Sequence, residues 1–129
     1  MDKVEELLGY IAPHMKISGK SALLLAVRYT VDSINYHPFY APLFTKEIYP
    51  AVASCLHCSL GAAEKAIYRA ASICWMNGRN HCLNMIIGRT LSFKPAPSEL
   101  LEYLAFYLIN GKPYHGRMIP PASTDESWL

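Results

Sequence analysis

Residues Ser59–Asn77 read SLGAAEKAIYRAASICWMN, and this stretch decides the fold. At about 100° of turn per residue, Ala63, Ala66, Ile67, Ala70, Ile73 and Cys74 gather on one arc of a helix. Gly61, Ala62, Lys65, Tyr68, Arg69 and Ser72 gather on the opposite arc. The inner arc is mostly alanine, so whatever packs there can approach closely. Ser59 suits the N-cap, because its hydroxyl can accept from the free amides of the first turn. Asn77-Gly78 supplies a left-handed stop. A shorter helix precedes, ending near a Leu56–Cys58 turn. A short helix, a tight turn and a small-residue helix with a basic outer face is the pattern of a helix-turn-helix. An ordinary amphipathic bundle helix gives much the same pattern, so the choice rests on the rest of the chain.

Upstream, TKEIYPAVASCLH begins the first helix of the pair at Thr45, with Pro50 near its first turn, where a missing amide matters least. Before it, Phe39–Phe44 is an aromatic loop with Pro38 and Pro42 at hand, expected to tuck onto the core. Val4, Leu7, Leu8 and Ile11 form the stripe of a short first helix, broken by Ala12-Pro13-His14. Ser18 is expected to cap a longer helix running to about Tyr36, with Leu24, Val27, Val31 and Ile34 at helical spacing and His37-Pro38 as its end.

Downstream, Asn80–Ile87 reads as a brief helix closed by Gly88. Arg89–Pro97 alternates but carries two prolines, which marks an extended loop rather than a sheet strand. Ser98 is expected to cap a last helix with the stripe Leu100, Leu101, Leu104, Ala105 and Leu108, ended by Gly111. The expectation is an all-α domain of five to six helices over residues 1–111, followed by a loose tail over 112–129.

The 129 residues are 52% hydrophobic and 17% charged, a globular composition. The net charge of +2 is unevenly spread. Between residues 59 and 97, Lys65, Arg69, Arg79, Arg89 and Lys94 stand against Glu64 alone, a local charge of +4. The positive charge therefore lies on the proposed second helix and just after it, where an anionic partner would want it. The N-terminal MDKVEE is not the start of a secretory signal, and the longest apolar run, Ala22–Val27, is too short to span a bilayer. A cytoplasmic protein with reduced cysteines and no membrane partner is expected.

Enzyme chemistry finds no footing. His14, His37, His57, His81 and His115 lie in separate turns or ends, and no Gly-rich phosphate loop, H-E-x-x-H or G-x-S-x-G occurs. No cofactor or small-molecule substrate is expected. Cys55-x-x-Cys58 with His57 between, followed by Cys74, His81 and Cys82, could suggest zinc. Cys74 lies on the packed arc and no second C-x-x-C supplies the other half, so no metal is expected and buried free thiols are the default.

Three stretches carry a resemblance to a known family. TKEIYPAVASCLHCS, AEKAIYRAASICWMNG and GRTLSFKPAPSELLEYLA follow one another in family order, with Trp75-x-x-Gly78 and Lys94-Pro95 correctly placed. The chain resembles, from about Ile11 to Ile109, the C-terminal DNA-binding effector domain of stage-zero sporulation protein A. The resemblance implies an all-helical domain whose second helix-turn-helix helix enters the major groove, binding promoter DNA as tandem or paired copies. It implies a groove face of Gly61, Ala62, Glu64, Lys65, Tyr68 and Arg69, capped by Ser59, with Arg79, Arg89 and Lys94 toward phosphates. Departures stand out: the family carries serine at Gly61, arginine at Ala62, Lys65 and Tyr68, and histidine at Arg69. Arginine reads guanine through two parallel bonds, which alanine cannot, so an altered DNA target is expected. The resemblance covers no receiver domain, so a switch by phosphorylation-driven dimerisation is not expected. The reading is a sporulation-type transcription regulator binding double-stranded DNA as a homodimer. Its alternative is a protein-interaction module that keeps the fold but has lost DNA, for which Ala62 and Tyr68 suit a drier surface.

Overall fold

A computed structural model describes residues 3–13, 15–76 and 80–113. The Asn77-Gly78 stop, Arg79, His14 and most of the 112–129 tail lie outside the described residues. Among the described residues six α-helices carry the fold: α1 (Lys3–Ile11), α2 (Ile17–Tyr36), α3 (Tyr49–Leu56), α4 (Leu60–Met76), α5 (Asn80–Ile87) and α6 (Pro97–Asn110). A π-helical turn, Phe44–Ile48, leads into α3, and no strand occurs among the described residues. The all-α expectation holds.

α2 is the central element, packing on α1, α3, α4 and α6, while α5 closes the far side against α1, α4 and α6. Its widest contact is with α4. Small residues are buried on both helices: Ala22 and Ala26 of α2 and Ala63, Ala70 and Ala71 of α4. Larger side chains fill the space around them, including Leu8, Ile11, Leu23, Ile67, Leu83, Ile87, Leu100, Leu101 and Leu104. Each contributes about 1.5–3 kcal/mol on leaving water, so the leucines and isoleucines supply the stability. Among the described residues Thr30 is the one buried polar side chain, and its hydroxyl donates to the Ala26 carbonyl at 2.7 Å.

The structure corrects several local expectations. α2 begins at Ile17, and its cap is Lys16, whose carbonyl takes the first helical bond from the Lys20 amide at 2.9 Å. Buried Met15 anchors the entering chain, so Ser18 falls inside the first turn instead of capping it. The deep face of α2 is Ala22, Leu23, Ala26, Val27 and Thr30, whereas Leu24, Val31 and Ile34 are only partly buried. A run such as SALLLAV is apolar on all sides, so periodicity alone could not orient it.

α6 begins at Pro97, in the position where a missing amide is harmless, with Ala96 as N-cap. Glu99 accepts the Ala96 N–H at 2.8 Å, and Ser98 lies within the first turn. The helix before the tight turn starts at Phe44, not Thr45, as a π-turn in which Ile48 N–H bonds to the Leu43 carbonyl at 3.1 Å. Pro50 has no N–H for the carbonyl four residues back, and the wider turn before it takes up that misfit.

The aromatic loop is the largest surprise. Phe39 and Tyr40 are 93% and 75% exposed, and Tyr36 at the end of α2 is 82% exposed. Only Pro42 is buried and Phe44 partly so. The rings meet one another instead of the core: His37 sits edge-on to Tyr36 at 4.9 Å and to Tyr40 at 6.3 Å. A turn closed by Tyr40 N–H on the His37 carbonyl at 3.1 Å holds the loop outside.

Candidate nucleic-acid interface

The turn between α3 and α4 is built from backbone bonds. His57 adopts the left-handed conformation, φ 56 and ψ 45. His57 N–H bonds to the Ser54 carbonyl at 3.2 Å and Cys58 N–H to the Ala53 carbonyl at 3.0 Å. These two bonds are the Schellman closure of a helix C-terminus, made here without glycine. One residue later Ser59 accepts the Ala62 N–H at 3.1 Å, which caps α4 as the sequence suggested. Both helix ends are thus satisfied within three residues, and the pair is rigidly joined.

α4 divides as its periodicity dictates. Ala63, Ile67, Ala70, Ala71 and Cys74 are buried, with Ala66 and Ile73 packed at the margin. Gly61, Ala62, Lys65, Tyr68 and Arg69 are exposed. No atom would crowd a Cβ at Gly61, so the first turn of α4 faces open space. Lys65 and Arg69 carry two unshielded charges one turn apart, with no hydrogen bond or ion pair among the described residues. Glu64 is half-buried rather than open, and its charge reinforces burial in raising the Tyr49 hydroxyl pKa. It therefore stands toward α3, at the edge of the open face.

The loop after α5 forms a second wall. Gly88, at φ 95, turns the chain, and Asn84 Oδ1 accepts the Leu91 N–H at 3.3 Å. Pro95 is buried and Leu91 packs on the core, so the loop is anchored at both ends. Between it and α6 lies a cavity of ≈ 380 Å³ bounded by Arg89, Leu91, Phe93, Glu99 and Tyr103. From this loop Lys94 reaches α4: Nζ donates to the Tyr68 hydroxyl at 3.1 Å and to Ser72 Oγ at 3.3 Å. The ammonium also lies 4.7 Å from the Tyr68 ring centroid, within cation–π range. The Lys94 bond and charge hold the Tyr68 phenol below the ordinary tyrosine range.

Of the residues singled out in the sequence, the structure brings Ser59, Gly61, Ala62, Lys65, Tyr68, Arg69 and Lys94 to one side of the domain's helix pair. Arg89 is exposed at the start of the loop, and Arg79 lies outside the described residues. Two residues beside Lys94 were not singled out by sequence reasoning. Ser72 lies on the open arc, but nothing in the sequence marks it as the seat for Lys94. Phe93, 84% exposed beside Lys94, is hidden in an alternating loop, although an aromatic in so polar a stretch is a usable signal. The cysteines divide too: Cys74 and Cys82 are buried, but Cys55 and Cys58 are exposed, against the expectation that all are buried. Among the described residues no cluster of His, Cys, Asp or Glu suits a metal. No helix among them is long and apolar enough to cross a membrane.

Comparison with known families matches residues 4–108 to the family described as the sporulation initiation factor Spo0A C terminal. No solved structure matches the chain. The match spans most of the chain and reaches into all six helices, so the chain belongs to this family. It is accordingly a DNA-binding, effector-like domain of sporulation transcription control, from a family of DNA-binding domains rather than enzymes.

Proposed function

We propose that this member of the Spo0A C-terminal family is a sequence-specific transcription regulator that lays α4 in the major groove of duplex DNA. One observation carries the reading: α4 buries Ala63, Ile67, Ala70 and Cys74 while leaving Gly61, Ala62, Lys65, Tyr68 and Arg69 exposed together. A helix of this kind fits a groove about 12 Å wide, with its N-terminal half nearest the base edges. Ser59 holds the first turn in place. Gly61 and Ala62 let it approach closely, and Lys65 and Arg69 meet base edges or phosphates. Arg79 and Arg89 supply further phosphate contacts, and Lys94, with two of its three N–H groups engaged on Tyr68 and Ser72, has one left for a phosphate. Glu64 at the margin disfavours misplaced phosphates. Two copies on adjacent half-sites complete the proposed complex.

The competing reading is a protein-interaction module, and the exposed cluster of Tyr36, Phe39 and Tyr40 is the feature that favours it. A salt series separates the two. Binding of duplex DNA followed by gel shift should weaken steeply with salt, through counterion release. Lys65→Ala with Arg69→Ala should weaken binding to every sequence. It should also make the slope of log K against log salt shallower by about 2, since each phosphate no longer neutralised is worth about 0.9. Failure of the unmodified protein to bind any duplex at low salt would refute the proposal, and stoichiometry in the same titration tests the paired copies.

A further inference from the structure

The contact between Lys94 and Tyr68 has a chemical consequence beyond anchoring. An ammonium carries three donors and no lone pair. At the 3.1 Å contact the phenolic oxygen of Tyr68 can therefore only accept. The phenolic oxygen conjugates one lone pair into the ring and accepts well through the in-plane one, which Lys94 occupies, and Ser72 Oγ takes another N–H of the same ammonium at 3.3 Å and holds it there. What remains is the phenol's own proton, on a side chain 52% exposed amid the outer face of α4. The ring is also fixed from the side by the ammonium 4.7 Å from its centroid. A free tyrosine hydroxyl can donate or accept and so tolerates either kind of base edge. This one is preset as a donor.

We propose that Tyr68 is a base-reading residue whose hydrogen-bond polarity is set by Lys94. It selects a keto oxygen, guanine O6 or thymine O4, over an exocyclic amino group, adenine N6 or cytosine N4. In the major groove those are the atoms that distinguish the bases at that edge. Against an amino base, donor would face donor, and two polar hydrogens would lose their water without gaining a partner. A penalty of this kind is on the order of tenfold in affinity. Lys94 is then a positioning residue, acting on specificity through Tyr68. The inference rests on the reading of α4 as the groove helix, but it concerns a residue pair rather than that docking as a whole.

The test compares the unmodified protein with Tyr68→Phe, Lys94→Met and Lys94→Arg, by selection from a random duplex library and by competition between duplexes differing at one base pair. The unmodified protein should show one position where a keto base is preferred about tenfold over an amino base. Tyr68→Phe should reduce that preference to less than about twofold and leave the other positions unchanged. Lys94→Met frees the hydroxyl to accept, so the same position should relax, and Lys94→Arg, which still donates, should restore it. Ultraviolet titration of tyrosine provides a readout that needs no DNA: the difference between the unmodified protein and Tyr68→Phe isolates Tyr68, whose ionisation should move to higher pH in Lys94→Met. Identical enriched sequences from the unmodified protein and Tyr68→Phe would overturn the proposal. So would a uniform loss on all duplexes in Tyr68→Phe, which marks a phosphate contact, or keto selection intact in Lys94→Met. Each of these leaves groove docking standing, whereas absence of any duplex binding by the unmodified protein overturns both.

Discussion

Replacing His57 with glycine should stabilise the domain and leave its outer face untouched. His57 sits at φ 56, ψ 45, in the tight turn that joins α3 to α4. The bonds that close the turn use backbone atoms, His57 N–H to Ser54 at 3.2 Å and Cys58 N–H to Ala53 at 3.0 Å, so glycine retains both. The His57 side chain is exposed and takes no part in the core. A Cβ in the left-handed region crowds the following carbonyl, at a cost of about 1–2 kcal/mol. Glycine removes that cost but adds freedom to the unfolded chain, an opposing effect of about 0.4–1 kcal/mol. The difference favours glycine by about 0.5–1 kcal/mol. For a domain of this size that is a rise in Tm of roughly 2–4 °C. Thermal melts followed by far-UV circular dichroism measure it, with His57→Ala as control, since alanine keeps the Cβ and should gain nothing. If His57→Gly melts no higher than His57→Ala, the strain assigned to this turn does not exist. DNA affinity should be unchanged in both.

Ala70, fully buried on α4, has no room to grow: Ala70→Leu should cost about 1–3 kcal/mol in denaturant unfolding, and an unchanged midpoint would mean the wrong face of α4 has been assigned to the core. Ala62→Arg should raise affinity for a sporulation-type site by roughly one to two orders of magnitude, with far less gain on random DNA; identical library selections for the two proteins would show that position 62 does not face the bases. Burial pushes the Cys74 thiol up to about 12, so in alkali the unfolded chain loses this proton before the folded one does. Its contribution is intact below the ordinary thiol range and declines by about 1.4 kcal/mol per pH unit from there to about 12. Cys74→Ala should therefore lose stability less steeply over that window, and parallel curves for the two proteins would contradict the burial.

What the sequence makes legible and what it conceals divide along a physical line. The two faces of α4, its Ser59 cap, the Gly88 and Gly111 stops and the helical stripes of α1 and α6 are consequences of residues within one or two turns of each other. Local chemistry decides them, and the pattern discloses them. The caps of α2 and α6 do not fall at Ser18 and Ser98, because a serine is only one way to close a helix. Buried Met15 fixes the first entry point, and Pro97 with Glu99 fixes the second. The exposed aromatic loop departs from expectation for a related reason: hydrophobicity predicts burial only where the backbone can carry the ring inward, and the turn at His37–Tyr40 carries it outward.

The candidate site follows the same rule at longer range. Its charges can be counted along the chain, but charge alone does not show that Lys94 lies 26 residues from Tyr68 in sequence and 3.1 Å from its hydroxyl in space. That contact changes the meaning of a departure from the family pattern. Tyr68 stands where the resemblance implies an arginine, which takes a cation from this face, and Lys94 of the neighbouring loop, itself part of the family pattern, sets its ammonium against the tyrosine. The cation that remains beside position 68 is the loop's, and the hydrogen-bonding group on α4 is changed. Electrostatic attraction to phosphate is insensitive to which element bears the charge, whereas base reading depends on the identity and polarity of the donor. On the proposed docking, such a surface keeps its attraction to phosphate through Lys65, Arg69 and Lys94, while positions 62 and 68 carry the change in preferred sequence.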